Sequence, residues 1–296
     1  MRFRTIAGAL MILAIGAVIA LDVGLFPTTK PLAFAVLVLM ASGAWWEYAA
    51  ICGLRGAGPK ASRALLWWGQ IGIVCFFLAA RAAGGEQGTG LDGARAIAGL
   101  ICLLAGSFLL VLFRESYERL YPSVLDVFAG VVLLGACLSY YVRIYMIPGG
   151  LGPLLAALLL AGIKGNDIAA YYVGKTWGSR HVFKVSPKKT LEGSIGALIF
   201  SALFFGAAGM AFEHYRPGSL FPWYSGILFG MMISVLAQAG DLAESLIKRV
   251  YKVKDSGSLL PEFGGVLDML DSLLFAGCFF WFWRTAQEAG WRFLFA

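Results

Sequence analysis

Asp268 and Asp271 lie three residues apart in "GGVLDMLDS", where a long apolar run begins. Residues three apart on a helix share a face, so both carboxylates can address one point. Acids at the edge of an apolar span are costly enough to mark function. For either Asp alone, the competing reading is an acidic helix N-terminus stabilised by the macrodipole. Two on one face, with Asp241 arriving from another helix, favour a divalent cation, and hard oxygen donors without Cys or His suit Mg2+ rather than zinc. In "GDLAESLIKRVYKVKDSGSLLP", Asp241, Ser245, Lys248 and Lys252 are spaced as one helical stripe, with Glu244 beside it. In "GKTWGSRHVFKVSPKKTLEG", Lys184, Lys188 and Lys189 with Ser186 and Thr190 suit phosphate oxygens, Pro187 and Gly193 setting the turns. The plainer reading of that loop is a basic segment on the inner side of a membrane. Its glycine spacing excludes a Walker A loop. The two histidines, His181 and His214, read as surface residues, so a histidine hydrolase or zinc protease is poorly supported. Many acids and cations with little histidine suit phosphoryl or nucleotidyl transfer. Its obstacles are anion repulsion and charge on the leaving pyrophosphate, not the lack of a strong base.

The elements that must position these groups are membrane helices. Of 296 residues 59% are hydrophobic and 14% charged, with a mean hydropathy of +0.77, which defines an integral membrane protein. Each crossing needs roughly 20 apolar residues as a helix. About nine such runs occur: Ile6 to Leu25, Pro31 to Cys52, Ala64 to Ala80, Ile97 to Phe113, Val124 to Tyr141, Leu151 to Val173, Gly193 to Phe212, Trp223 to Leu242 and Val266 to Phe282. They are continuous rather than alternating, so the fold class expected is all-α, not a barrel. The first run reads as a retained span, since no small-residue cleavage site follows it. Cys52, Cys75, Cys102, Cys137 and Cys278 lie in or at the ends of spans, without metal-like spacing, as inert thiols. Basic residues concentrate in alternate loops, which puts the N-terminus in the cytoplasm and the C-terminus outside. The net charge of +7 follows that topology, and no nucleic-acid reader motif accompanies it. Before residue 120 the spans read as nearly free of ionisable groups except Glu47. The expected organisation is therefore one continuous membrane domain, with 1–120 shaping the bundle and lipid access and 121–296 holding a polar site. Asp167, Asp241, Asp268 and Asp271 all fall at cytoplasmic span ends, Glu47 either joining them or sitting at the interface, and Lys164 lies within the sixth span.

The segment "SLIKRVYKVKDSGSLLPEFGGVLDMLD" resembles the signature of phosphatidate cytidylyltransferases, also called CDP-diacylglycerol synthases. Ser245, Lys248, Arg249, Lys254, Asp255, Pro261, Gly264, Gly265, Asp268 and Asp271 match in register, and "QAGDLAES", "NDIAAYYVGK" and "VSPKKTLEGSIGA" look like the family's other blocks. The likeness covers roughly residues 160 to 275. It implies transfer of CMP from CTP to phosphatidate, giving CDP-diacylglycerol and pyrophosphate with Mg2+, a second metal ion being left open. Asp241, Asp268 and Asp271 would correspond to the metal-binding acids, with Lys248 and Arg249 completing the catalytic set. Asn166, Asp167, Ser186, Lys188, Lys189, Thr190, Glu192, Ser245, Lys254, Asp255, Gly264 and Gly265 would line the substrates. The resemblance places the enzyme in the inner, cytoplasmic membrane with its site facing the cytoplasm, and leaves a homodimer open. Phe263 stands where the pattern has His, and Met269 where it has Arg. The rivals are transfer to another lipid phosphate, a non-catalytic relative, and an ion-coupled transporter with acids at the midplane.

Overall fold

The computed structural model describes residues 2–54, 60–84, 90–112, 117–215, 223–257 and 264–288. Phe113, Pro261 and Phe263, which enter the sequence reading, lie outside them. Among the described residues every regular element is helical, and the β feature is one isolated bridge between His181 and Thr190. The helices are α1 (Arg2–Leu25), α2 (Pro31–Ile51), α3 (Lys60–Ala83), α4 (Gly90–Leu112), α5 (Tyr117–Gly130), α6 (Leu138–Tyr145), α7 (Leu151–Trp177), α8 (Leu191–Tyr215), α9 (Trp223–Val250), α10 (Val266–Leu270) and α11 (Ala276–Glu288). A π-helical stretch, Val131–Cys137, joins α5 to α6, and a 3-10 turn, Asp271–Leu273, follows α10.

Among the described residues, seven segments are long and apolar enough to cross a membrane: Pro31–Ile51, Arg63–Ala83, Pro122–Tyr145, Leu151–Trp177, Leu191–Tyr215, Trp223–Val250 and Val266–Gln287. The protein is an all-α integral membrane protein. The other two expected spans fall on α1 and α4, of which Leu13–Leu25 and Ile97–Leu112 are the apolar stretches among the described residues. The last span departs from expectation in its internal structure. It is not one regular helix, and Asp268 on α10 and Asp271 on the 3-10 turn belong to different elements.

The chain divides into two units. The first comprises Met1–Leu155 and Tyr251–Leu270. Here Asp22, an ionisable residue inside the first apolar run, accepts hydrogen bonds from the backbone N–H of Leu32 (2.9 Å) and Ala33 (2.7 Å), satisfying the orphan donors at the start of α2. Lys30, in the left-handed region at φ 42°, donates to the Tyr145 carbonyl at 2.8 Å. Burial lowers its pKa, and the Asp22 charge opposes that shift. Glu47, 8% exposed, does the same service for another helix. Its carboxylate accepts from Val266 N (3.0 Å) and Leu267 N (2.8 Å), so α2 caps α10. Glu47 thus acts as a structural acceptor for two backbone donors. Glu47→Ala leaves both donors unmet in a buried place, a cost of about 2 to 5 kcal/mol. Thermal unfolding in detergent should show a midpoint several degrees lower, with Glu47→Gln intermediate because one amide oxygen remains. An unchanged midpoint for the alanine variant would remove the capping role.

The second unit comprises Ala156–Val250 and Asp271–Ala296. The inward face of α8 is Gly193, Ala197, Ser201 and Phe205, at four-residue spacing, while Ile195, Ile199, Leu203 and Met210 are exposed. Three small residues inside, with Phe205 the exception, and large apolar ones outside suit a lipid solvent, where close backbone approach rather than water expulsion drives packing. A Cβ at Gly226 or Gly230 of α9 would strike the carbonyls of Phe205 or Ser201, so α8 and α9 meet backbone to backbone. Asn166 of α7 ties this contact together. Fully buried, its Oδ1 accepts from Ser201 Oγ of α8 (3.1 Å) and Ser234 Oγ of α9 (2.6 Å).

Candidate functional site

In the second unit, three elements bring acids together. Asp167 comes from α7, Asp241 from α9 and Asp271 from the 3-10 turn. Asp271 lies within electrostatic reach of Asp241 and Asp167, which repel it, and of Lys164, which attracts it. The approach depends on Gly240. A Cβ there would strike the Asp271 carbonyl oxygen, so only glycine lets α9 lie against the turn. Two ammonium groups offset the repulsion. Lys189 Nζ is 2.7 Å from Asp241 Oδ2, and Lys164 Nζ is 3.6 Å from Asp167 Oδ2 while donating to Ser272 Oγ at 2.9 Å. Further along α9, Lys248 pairs with Glu244 at 2.6 Å, an i,i+4 pair whose carboxylate is buried.

The basic loop is more organised than a bare charge run. Lys189 N donates to Ser186 O at 3.1 Å, closing a turn with Pro187 at its second position, where a fixed φ is favourable. Thr190 is buried and caps α8, its Oγ1 accepting from Gly193 N at 3.2 Å. Glu192 accepts from Ser179 N (3.1 Å), Ser179 Oγ (3.0 Å) and Arg180 N (3.2 Å), fastening the start of the loop to the start of α8. Arg249 Nε reaches the Val185 carbonyl at 3.4 Å. Lys184 and Lys188 are exposed to solvent, and Lys189 turns inward to Asp241.

In the first unit, Asp268 Oδ2 accepts from Ser256 Oγ (2.5 Å) and Gly265 N (2.8 Å). Both bonds lie at the start of α10. The paired glycines are both required: Gly264 has φ +84°, and a Cβ at Gly265 would strike Ser256 Oγ and the Glu47 carboxylate. Tyr251 donates to Asp126 Oδ1, and Ser256 holds the other end, so the segment carrying exposed Lys252, Lys254 and Asp255 is pinned at two points. Burial, reinforced by the Asp126 hydrogen bond, raises the Tyr251 pKa.

Of the residues singled out by sequence, the second unit thus collects Asp167, Lys189, Asp241 and Asp271. Asn166, Thr190 and Glu192 are engaged in tying helices and loop together, and Gly264, Gly265 and Asp268 shape one turn of the first unit. Ser186 sits in the loop turn, Ser245 on α9 is half-buried, and Lys188 and Arg249 lie at the surface. The proposed stripe breaks at Lys252. Helix α9 stops at Val250, and Lys252 has φ 56° beyond its end, so it shares no face with Asp241. Sequence reasoning placed Lys164 in the sixth span without pairing it with Asp167, although their i,i+3 spacing signals the pair, and it missed Gly240, whose position beside an acid in an apolar run signals a close approach. Among the described residues, no three His, Cys, Asp or Glu side chains converge closely enough to hold an ion as they stand. The donor chemistry of Asp167, Asp241 and Asp271 is nevertheless entirely hard oxygen, and fits a hard cation better than a soft one.

These features define a polytopic helical membrane protein whose clustered acids and ammonium groups suit phosphate-bearing anions. The profile described as "Cytidylyltransferase family" matches residues 3–286, and the chain belongs to that family. It is similar to a Bacillus subtilis protein named "Phosphatidate cytidylyltransferase", at 36% identity over 157 residues, 51% of this chain and 54% of that one. It is also similar to "Uncharacterized protein YnbB" of Escherichia coli, at 39% over 170 residues, 55% of this chain and 54% of that one. An Aquifex aeolicus "Phosphatidate cytidylyltransferase" is 30% identical over 177 residues, 60% of this chain and 58% of that one. The chain spans about half the length of the curated relatives it matches.

Proposed function

We propose that this protein transfers CMP from CTP to phosphatidate, forming CDP-diacylglycerol and pyrophosphate at the cytoplasmic face of the inner membrane. The observation that carries the reading is the second unit's gathering of Asp167, Asp241 and Asp271 with Lys164 and Lys189. A phosphatidate phosphate oxygen attacks the α-phosphorus of CTP. The new P–O bond forms as the bond to the β-phosphate bridge breaks, and pyrophosphate leaves with that electron pair. Lys189 and Lys164 are placed to meet phosphate charge that their carboxylate partners now balance, and the Ser186 to Thr190 turn holds Lys189 at its post. Asp241 and Asp271 would hold Mg2+, with Asp268 as the third ligand by resemblance. When bound, the ion would neutralise phosphate charge and stabilise the leaving pyrophosphate. Met269, where the family pattern has Arg, supports a second reading in which the acceptor is a different lipid phosphate.

The test is an assay of detergent-purified protein with labelled CTP, phosphatidate and Mg2+, scoring lipid-linked CDP and released pyrophosphate. Both products are expected in equal amounts and in proportion to enzyme. Folded protein that makes neither with phosphatidate, but does with another lipid phosphate, selects the second reading. Absence of product with every lipid phosphate and nucleotide tried would end both.

A further inference from the structure

The first unit contains a cavity of about 720 Å³ between α3, α4, the π-helical stretch and α6. It runs along α3 from Trp68 to Ala83, roughly 22 Å at 1.5 Å per residue, longer than one half of a hydrocarbon core of about 30 Å. Its walls are overwhelmingly aliphatic and aromatic. The exceptions are the thiols of Cys75 and Cys102 and, on α6, Ser139, Tyr140 and Arg143. There the Arg143 guanidinium lies 6.0 Å from the Tyr140 ring centroid, a cation over an aromatic face. Since α3 starts beside the end of α2 that carries Glu47, its last turns, and with them Arg143, lie toward the opposite end of this unit. A long apolar trough with one cation toward one end suits an amphiphile with an anionic head.

We infer that this cavity binds one anionic phospholipid, its headgroup at Arg143 and an acyl chain along α3. The inference is independent of the proposed reaction, whose residues lie on other elements. Arginine supplies planar, charge-assisted donors to phosphate, and these persist at any physiological pH. The π-helical stretch contributes Ala136 to the wall, and Ser139 Oγ is turned back to the Ala136 carbonyl at 2.8 Å. Its hydroxyl is thereby occupied, so a lipid head would be selected by charge at Arg143 rather than by Ser139. A neutral lipid would fill the trough without that selection.

The test is native mass spectrometry of the full chain, delipidated in detergent and titrated with phosphatidylglycerol or phosphatidylcholine. One phosphatidylglycerol should be retained about tenfold more tightly than phosphatidylcholine, the worth of one charge-assisted contact. Arg143→Gln should abolish the preference and Arg143→Lys should keep most of it. Ala79→Phe, which fills the trough, should lose the retained lipid whatever its head. Equal retention of the two lipids by the wild type, or a preference undiminished in Arg143→Gln, would overturn the inference. So would tight binding in a folded Ala79→Phe protein.

Discussion

Asp271→Asn should give a protein that folds and inserts, melts no lower than the wild type, and forms lipid-linked CDP at least about 100- to 1,000-fold more slowly, the scale of losing one preorganised electrostatic group. The two halves of this result have one cause. Asp271 holds a carboxylate among two others, Asp241 and Asp167, with Lys164 giving partial relief. A neutral isostere removes like-charge repulsion and the cost of burying an anion, while the amide oxygen can still accept from Ser272 N as Asp271 Oδ1 does at 2.5 Å. Folding therefore loses nothing, and the proposed hold on a cation loses a ligand. Wild-type turnover in Asp271→Asn would sink the ligand assignment. A large drop in melting point would show instead that the carboxylate is structural. The proposed ligand role of Asp268 predicts the same loss of turnover in Asp268→Asn. Retained activity there, beside an inactive Asp271→Asn, would leave Asp268 as the cap of its own helix, held by Ser256 and Gly265.

The helical membrane fold was legible because continuous apolar runs of span length admit few other solutions. Helix ends were legible where punctuation was strong, as at Pro31 and at the "SPKKT" turn. The acids were legible for a related reason, since Asp167 and Asp241 interrupt apolar patterns that offer them no other account. The division of labour among the polar residues was not. Asn166, Thr190 and Glu192 have the same residue types whether they bind a substrate or satisfy backbone and side-chain partners. Their structural partners in space, Ser201, Ser234, Gly193 and Ser179, leave no mark in the sequence. Glu47 was ambiguous likewise, because the donors it caps are 219 and 220 residues away in sequence. Asp22 was masked by its apolar run, its partners Leu32 and Ala33 being backbone groups that carry no sequence mark. Lys252 continued a helical spacing, but its backbone lies in the left-handed region beyond the end of α9, which spacing alone does not register.

Gly240→Ala should lower both stability and turnover, although the same change in an open helical position does the opposite. In a helix interior alanine is favoured over glycine by about 1 kcal/mol. At Gly240 the added methyl would strike the Asp271 carbonyl oxygen, a backbone atom that cannot rotate away. Either α9 and the 3-10 turn separate or the turn is remade, a change that typically costs about 1 to 3 kcal/mol. A net loss of stability therefore means that the contact outweighs the helix propensity. The catalytic consequence is larger than the stability change, because Asp241 is the next residue and Asp271 bears the carbonyl. A shift of about 1 Å between the two carboxylates is enough for a rate loss on the order of 100-fold. Gly16→Ala in α1, where a Cβ meets nothing within 4 Å, is the matched control and should melt no lower than the wild type and turn over normally. Thermal melting in detergent with steady-state turnover on the two variants separates the effects. If Gly240→Ala behaves like Gly16→Ala, the approach of α9 to Asp271 is not what assembles the acids, and the proposed pairing of Asp241 with Asp271 fails with it.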